Sequence, residues 1–302
     1  MSELSVRVGD VALSSPIMTA AGTSGYGDEL AGYGDLADLG AVVTKSLTAY
    51  AWSGNPAPRV AAWGEHMLNS VGLSGPGVSA WRDQELTRLR ARGATVVASV
   101  WGRSVADFAG AIEQMRGADV AAIEVNVSCP NLEDRSRMFA HSASATADVV
   151  AACRPADVPL WVKLSPNTPD LVEIAGAALD AGADALVLVN TLLGLVIDVE
   201  SRRPALGNGG GGLSGAGLHP VALRAVYECR AAMPTVPIVG VGGVATGVDA
   251  VAMIMAGANA VEVGTATFAD PRAPWRVQRQ FDKWLTRHGC ASPDVIRGAA
   301  HG

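Results

Sequence analysis

Residues 237–265 read PIVGVGGVATGVDAVAMIMAGANAVEVGT. The run 237–241 is short, apolar and rich in β-branched residues. A glycine pair, Gly242-Gly243, follows it, and Thr246 then stands where a helix would be capped. The stretch 246–256 spaces its apolar residues as a helix does. Ala256-Gly257-Ala258 fits a helix C-cap, and a second apolar run, 260–264, starts at once. Strand, glycine loop, helix and strand make one βαβ unit. Strands this continuous in apolar residues belong to a parallel sheet covered on both faces.

The same unit recurs in both directions along the chain. Apolar runs at 16–20, 41–45, 95–100, 120–127, 160–164 and 185–190 join the two already quoted. Amphipathic segments lie at 28–39, 79–91, 104–116, 145–153, 169–181, 220–232, 246–256 and 274–287. Eight such units in 302 residues predict a (β/α)8 barrel, with one domain spanning 1–302. The other α/β solution is an open doubly wound sheet. It would usually carry its glycine fingerprint after the first strand, but Gly22, Gly25 and Gly27 lack the GxGxxG spacing. Glycine loops after strands seven and eight suit a barrel. Two connections, 46–78 and 191–217, are too long for plain turns. Both follow strand carboxyl ends and are expected to form lids over that face.

Bulk composition narrows the function. Apolar residues make up 49% and charged residues 17%, a balance that favours a large core and suits a subunit interface. Net charge is −6 with no basic cluster, which argues against nucleic acid as a partner. No run is long enough to span a bilayer, and no basic-then-apolar leader opens the chain, so a soluble cytoplasmic protein is expected. Cys129, Cys153, Cys229 and Cys290 include no CxxC pair, and the five histidines include no HExxH pair. Neither a metal site nor an iron–sulfur cluster is expected in this chain.

Polar groups gather at the strand ends. They are Lys45, Ser99, Asn126 with Cys129 and Asn131, Lys163, Asn190 with Thr191, Gly242-Gly243 and Gly264-Thr265. In a barrel these tips form the catalytic rim. Val125-Asn-Val-Ser-Cys-Pro-Asn131 carries a thiol where Pro130 forces the chain out of the sheet. A lone cysteine is most often a small buried hydrophobe; here the polar neighbours and the strand mouth favour a catalytic thiol. Its ordinary pKa of about 8.5 leaves little thiolate at neutral pH, so a base at this position needs local help. Lys45 and Lys163 each end an apolar strand and need an anionic or electron-rich partner unless they snorkel to solvent. Asn69, Asn126, Asn131 and Asn190 both donate and accept, which suits a planar ligand with alternating C=O and N–H edges; each alone could equally cap a loop. The late glycines let backbone N–H groups approach a phosphate.

Taken together, Asn126-Val-Ser-Cys-Pro-Asn131, Asn69-Ser-Val-Gly-Leu73, Val162-Lys-Leu-Ser-Pro-Asn167, Asn190-Thr191, Gly212-Leu-Ser-Gly215 and Gly264-Thr265 resemble the dihydroorotate dehydrogenases of the soluble class 1. The resemblance runs from Pro16 to about Pro271. It implies an FMN-bearing (β/α)8 barrel that oxidises (S)-dihydroorotate to orotate in pyrimidine biosynthesis. By that resemblance Cys129 is the base for the C5 proton, the C6 hydride passes to the flavin, and Lys45 touches both flavin and substrate. Asn69, Gly72, Leu73, Asn126, Asn131, Asn190 and Thr191 bind the substrate. Ala21, Gly22, Ser46, Ser99, Val189, Gly215, Gly242, Gly243, Gly264 and Thr265 hold FMN together with Lys45 and Asn126, and Lys163 faces the electron-rich edge of the ring. Asn69-Ser-Val-Gly-Leu-Ser-Gly-Pro-Gly77 looks more like the B type, whose members pair with a separate subunit carrying FAD and a 2Fe–2S cluster and pass electrons to NAD. A homodimer is expected. Ala21 stands where many relatives have serine, and Ser99 where they often have asparagine. These departures leave open an FMN barrel acting on another cyclic substrate. From the residues alone, a phosphate-binding isomerase or lyase using a lysine, or a non-catalytic scaffold, also remains.

Overall fold

The computed structural model describes residues 3–128 and 138–302. Strands β1 (Val6–Val8) and β2 (Val11–Leu13) form a hairpin before the barrel begins. The eight barrel strands are β3 (Ile17–Thr19), β4 (Val42–Val43), β7 (Val96–Val100), β8 (Ala122–Asn126), β9 (Leu160–Leu164), β10 (Ala185–Leu188), β15 (Ile238–Val241) and β16 (Ala260–Val263). They pair in parallel in the order β3-β16-β15-β10-β9-β8-β7-β4. The ring closes between β3 and β4 by Thr19 N–H to Ala41 O at 3.1 Å, and Thr19 Oγ1 accepts from Val43 N at 2.9 Å. Each expected strand is present, and the (β/α)8 barrel stands.

Two apolar clusters divide the strands by parity. Ile17, Val42, Val96, Ile123, Leu160, Leu186, Ile238 and Val261 face the surrounding helices. Met18, Val43, Val97, Ala122, Trp161, Val187, Val239 and Ala260 fill the interior, and Val6, Val8, Val11 and Leu13 of the hairpin belong to the same cluster. Alternate residues of a strand share a face, so Ser99, Glu124, Asn126, Lys163 and Glu262 stand on the interior side, all buried.

The helices are α1 (Val78–Trp81) continued through a π turn at Arg82–Leu86 into α2 (Thr87–Ala91), then α3 (Val105–Met115), α4 (Ala143–Cys153), α5 (Leu171–Asp180), α6 (His219–Ala232), α7 (Gly247–Met255), the short α8 (Ala266–Ala269) and α9 (Ala273–Arg287). Ser104 and Thr246 close capping boxes with Asp107 and Asp249. The helix expected over 28–39 is instead two 3-10 turns, Glu29–Gly32 and Leu36–Asp38. Gly32 and Gly34 weaken helix formation. A side chain at Gly34 would collide with the Trp275 ring of α9 at 2.5 Å, so the packing needs a glycine there. Asp35 then caps the second turn at Ala37 N.

The two long connections are more ordered than lids need to be. β5 (Val60–Trp63) and β6 (His66–Asn69) from the first meet β11 (Leu192–Gly194) and β14 (Gly211–Gly215) from the second in one antiparallel sheet, ordered β11-β14-β6-β5. β12 (Ile197–Asp198) and β13 (Arg203–Pro204) make a small hairpin. Among the described residues no helix is long and apolar enough to cross a membrane.

Candidate active site

The four-stranded sheet lies over the carboxyl ends of the barrel strands and encloses a cavity of about 860 Å³ between them. Ala21, Gly22, Lys45, Ser46, Asn69, Gly72, Leu73, Asn126, Lys163, Val189, Asn190, Thr191, Gly242, Gly243, Gly264 and Thr265 all line it. Two expected residues do not. Ser99 is wholly buried one layer down, with its hydroxyl 2.8 Å from that of Ser46 and donating to Glu124 Oε1 at 3.0 Å. Gly215 lies behind Gly243, which approaches its carbonyl so closely that a Cβ on Gly243 would sit 2.9 Å from it. Cys129 and Asn131 lie outside the described residues; Ser128 and Met138, which flank that stretch, both line the cavity.

The amides form an ordered set. Asn190 Nδ2 donates to Asn126 Oδ1 at 3.2 Å, and Asn126 Nδ2 donates to Ser46 Oγ at 3.3 Å. Asn126 Oδ1 also accepts from Ser128 N. Asn69 Nδ2 donates to Gly212 O, which ties β6 to β14 at the cavity wall. Asn167, quoted in the Val162–Asn167 motif, bridges Thr191 O and Leu193 N at 2.9 and 2.8 Å and so fixes the loop after β10. Gly72 has φ +71, and a Cβ there would strike Asn55 at 2.5 Å; Trp52 Nε1 donates to Gly72 O at 2.9 Å. These contacts explain why the segment 69–73 holds its backbone toward the cavity.

The two lysines differ in surroundings. Burial, with the charge of Arg59 in support, pulls the Lys45 ammonium below its ordinary value. Lys163 donates to Glu262 Oε2 at 3.0 Å and lies 3.5 Å from Glu124 Oε2. Burial alone would lower its value, but the fields of Glu124 and Glu262 and their hydrogen bonds leave it raised. Among the described residues Lys45 therefore has no carboxylate partner, whereas Lys163 is a firmly held cation at the cavity floor.

Sequence reasoning missed Trp52, Asn55, Trp101, Arg103 and Arg59. The first four line the cavity, with the Arg103 guanidinium 4.6 Å above the Trp52 ring. They come from irregular loops, where no periodic signal marks them. Glu124 and Glu262 were also missed, although each stands two residues before a noted tip residue, Asn126 and Gly264, and so on the same strand face.

The surface suits a flavin. Ala20, Ala21, Val189, Val241 and Leu218 offer an apolar wall, and Lys163 offers a cation. Gly242 and Gly243 have φ +137 and +68, conformations that leave backbone open to close approach. Among the described residues the N–H groups of Gly243 and Thr265 have no protein acceptor, which is the donor set a phosphate would satisfy.

Known proteins agree with this geometry. A family model described as dihydroorotate dehydrogenase matches residues 3–285. A protein of Alkaliphilus oremlandii is 44% identical over 296 residues, covering 98% of each chain. Proteins of Trichlorobacter lovleyi and Bacteroides thetaiotaomicron are 42% and 41% identical over 301 residues, covering 99% of each chain. All three are named dihydroorotate dehydrogenase B (NAD(+)), catalytic subunit. With the barrel, the cavity and the strand-tip residues in place, the chain belongs to the dihydroorotate dehydrogenase family.

Proposed function

We propose that this chain oxidises (S)-dihydroorotate to orotate in pyrimidine biosynthesis, using FMN. The observation that carries this reading is the meeting of Lys45, Asn69, Asn126, Asn190 and Thr191 in one cavity with the glycine loops after β15 and β16. When bound, FMN would supply the two-electron acceptor for the C6 hydride of the substrate. Cys129 Sγ takes the C5 proton. Lys45 supplies a positive charge that an acid substrate needs, with Arg59 adding to the positive field there. Asn69, Asn126, Asn131, Asn190 and Thr191, with the Gly72 and Leu73 backbone, match the C=O and N–H edges of the ring and fix its orientation. Lys163 favours the electron-rich form of the cofactor by charge. Gly242, Gly243, Gly264 and Thr265 hold the phosphate, with Gly215 supporting Gly243 from behind. Ala21, Gly22, Ser46 and Val189 pack on the cofactor, and Ser99 acts on it through Ser46.

The relatives' names describe a catalytic subunit, and we infer a separate electron-transfer subunit for this chain too, carrying FAD and a 2Fe–2S cluster and delivering electrons to NAD. The site of action is the cytoplasm. Purified protein is expected to be yellow, and dihydroorotate added without oxygen is expected to bleach it. A protein that takes up FMN but is not reduced by dihydroorotate would shift the reading to another cyclic substrate. A colourless protein that takes up no FMN would end it.

A further inference from the structure

The middle of the barrel holds two carboxyls and one ammonium where hydrocarbon would otherwise fill the space. Glu124 on β8 and Glu262 on β16 have no exposed surface. Both carboxyls meet Lys163 Nζ, Glu262 Oε2 at 3.0 Å and Glu124 Oε2 at 3.5 Å, which sets their like charges against each other. Glu262 Oε1 has no hydrogen-bond donor among the described residues, and Glu124 Oε2 has none beyond that long contact with Lys163. Interior neighbours on the other strands are Val43, Val97, Val187, Val239 and Val241, all apolar, and the neutral Ser99; Lys45 and Arg103 are further cations on the cavity wall. Two ionised carboxylates with one lysine would leave a net negative charge inside the barrel, which is expensive without further donors. A single proton on Glu262 removes that charge.

We propose that Glu262 holds a proton beside Lys163 and Glu124, and that this buried cluster is a positioning element that sets how readily a flavin in the cavity is reduced. The proposal rests on the flavin reading above. Burial, with Glu124 adding to it against the opposing pull of Lys163, raises the Glu262 carboxyl to about 8. Glu262 is thus poised to lose its proton just above neutrality. Lys163 is only 4% exposed yet lines the cavity, so the charge of the cluster is felt there with little screening by water. With the proton in place the cluster is neutral overall and presents the Lys163 ammonium to the cavity. Once the proton leaves, the added negative charge opposes the arrival of electrons. Reduction then strengthens the hold on the proton, which is drawn from solvent. The same cluster reaches the substrate amides by an unbroken chain: Glu124 Oε1 accepts from Ser99, Ser99 meets Ser46, Ser46 accepts from Asn126, and Asn126 accepts from Asn190.

Equilibrium reduction of the FMN-loaded protein against an indicator dye, without dihydroorotate, tests this. Glu262→Gln mimics the protonated carboxyl. From about pH 6 to about pH 7 wild type and variant should reduce equally within roughly twofold; near pH 9.5 the wild-type equilibrium should fall behind by about tenfold, which is about 30 mV for a two-electron couple. Coincident curves at every pH, or an offset that does not change with pH, would overturn the proposal. Thermal unfolding of the FMN-free proteins gives an independent arm. The folded value of Glu262 lies above its unfolded value of 4.5, so its contribution to stability is present in acid and is lost as pH rises through about 8. The variant should therefore gain on wild type between about pH 6 and about pH 9. A constant difference would refute the proton on Glu262 whether or not the protein binds FMN, whereas failure to bind FMN would count against the flavin reading alone.

Discussion

Lys45 and Lys163 occupy equivalent strand tips with opposite electrostatics. Lys163 has its counter-charge built in, and Lys45 feels the like charge of Arg59 with no carboxylate partner among the described residues. Replacing Lys45 by Met is expected to leave the barrel folded, because it breaks no ion pair among them. It should weaken orotate binding by about 10- to 100-fold, the worth of one charge-assisted hydrogen bond. Titration of orotate against flavin absorbance reads this directly, and an unchanged Kd would remove Lys45 from the substrate site. Because burial holds its ammonium below the ordinary lysine value, wild-type orotate binding should also begin to fail at a lower pH than a free lysine would allow, as the charge is lost. Cys129 has a separate role and calls for a separate test. Cys129→Ala should keep the flavin and slow its reduction by dihydroorotate by roughly two to four orders of magnitude, the span for losing a general base. Near-normal single-turnover reduction by that variant would show that the proton leaves C5 by another route.

The antiparallel sheet above the barrel turns these side chains into a site. Its β14 strand carries glycine where the neighbours leave no room: a Cβ on Gly212 would sit 2.1 Å from Thr191 Oγ1, and Gly212 O holds the Asn69 amide. Gly212→Ala should push Thr191 and β6 apart and raise the KM for dihydroorotate by about tenfold or more, since displacements near 1 Å are costly in a positioned site. The barrel below does not depend on that contact, so a melting temperature that falls sharply along with activity would mean the sheet is part of the folding core instead. That sheet was also the element least legible in the sequence. The barrel strands could be read because strands buried on both faces are apolar throughout, and their tips announce themselves by turning polar. β6 and β14 pair across more than a hundred residues, Asn69 with Gly212, and the glycines of β14 give no alternating pattern. The segment 28–39 has helical spacing, yet Gly34 is needed by Trp275 of α9, a partner no local window contains. Glu124 and Glu262 were within reach, since period-two parity alone places them on the interior face, but their meaning depends on Lys163 standing between them.

At the scale of the molecule the remaining feature is an apolar face that starts at the cavity rim, where Leu193 and Val60 also line the cavity. Leu193, Leu195, Ile197 and Val199 are exposed at every second position from β11 to just past β12, the inverse of what a strand edge in water requires. Val60 and Trp63 on β5, at the far edge of the same sheet, are exposed as well, Trp63 by 56%. A chain with 17% charged residues has few charges to spare, yet Lys, Asp and Glu could have occupied these positions at no cost to the barrel. Apolar surface retained in this pattern is the signature of a subunit contact, and a two-fold dimer would cover it with the same surface of a second copy. The expected mass in solution is that of two chains, about twice 30.8 kDa, by light scattering after gel filtration. Leu195→Glu puts a charge in the middle of the stripe without touching the barrel or the cavity lining. It should shift the protein to the one-chain mass while leaving its FMN content unchanged. If the variant keeps the two-chain mass, the stripe is not the contact between copies; if wild type already runs at the one-chain mass, the two-fold dimer is ruled out.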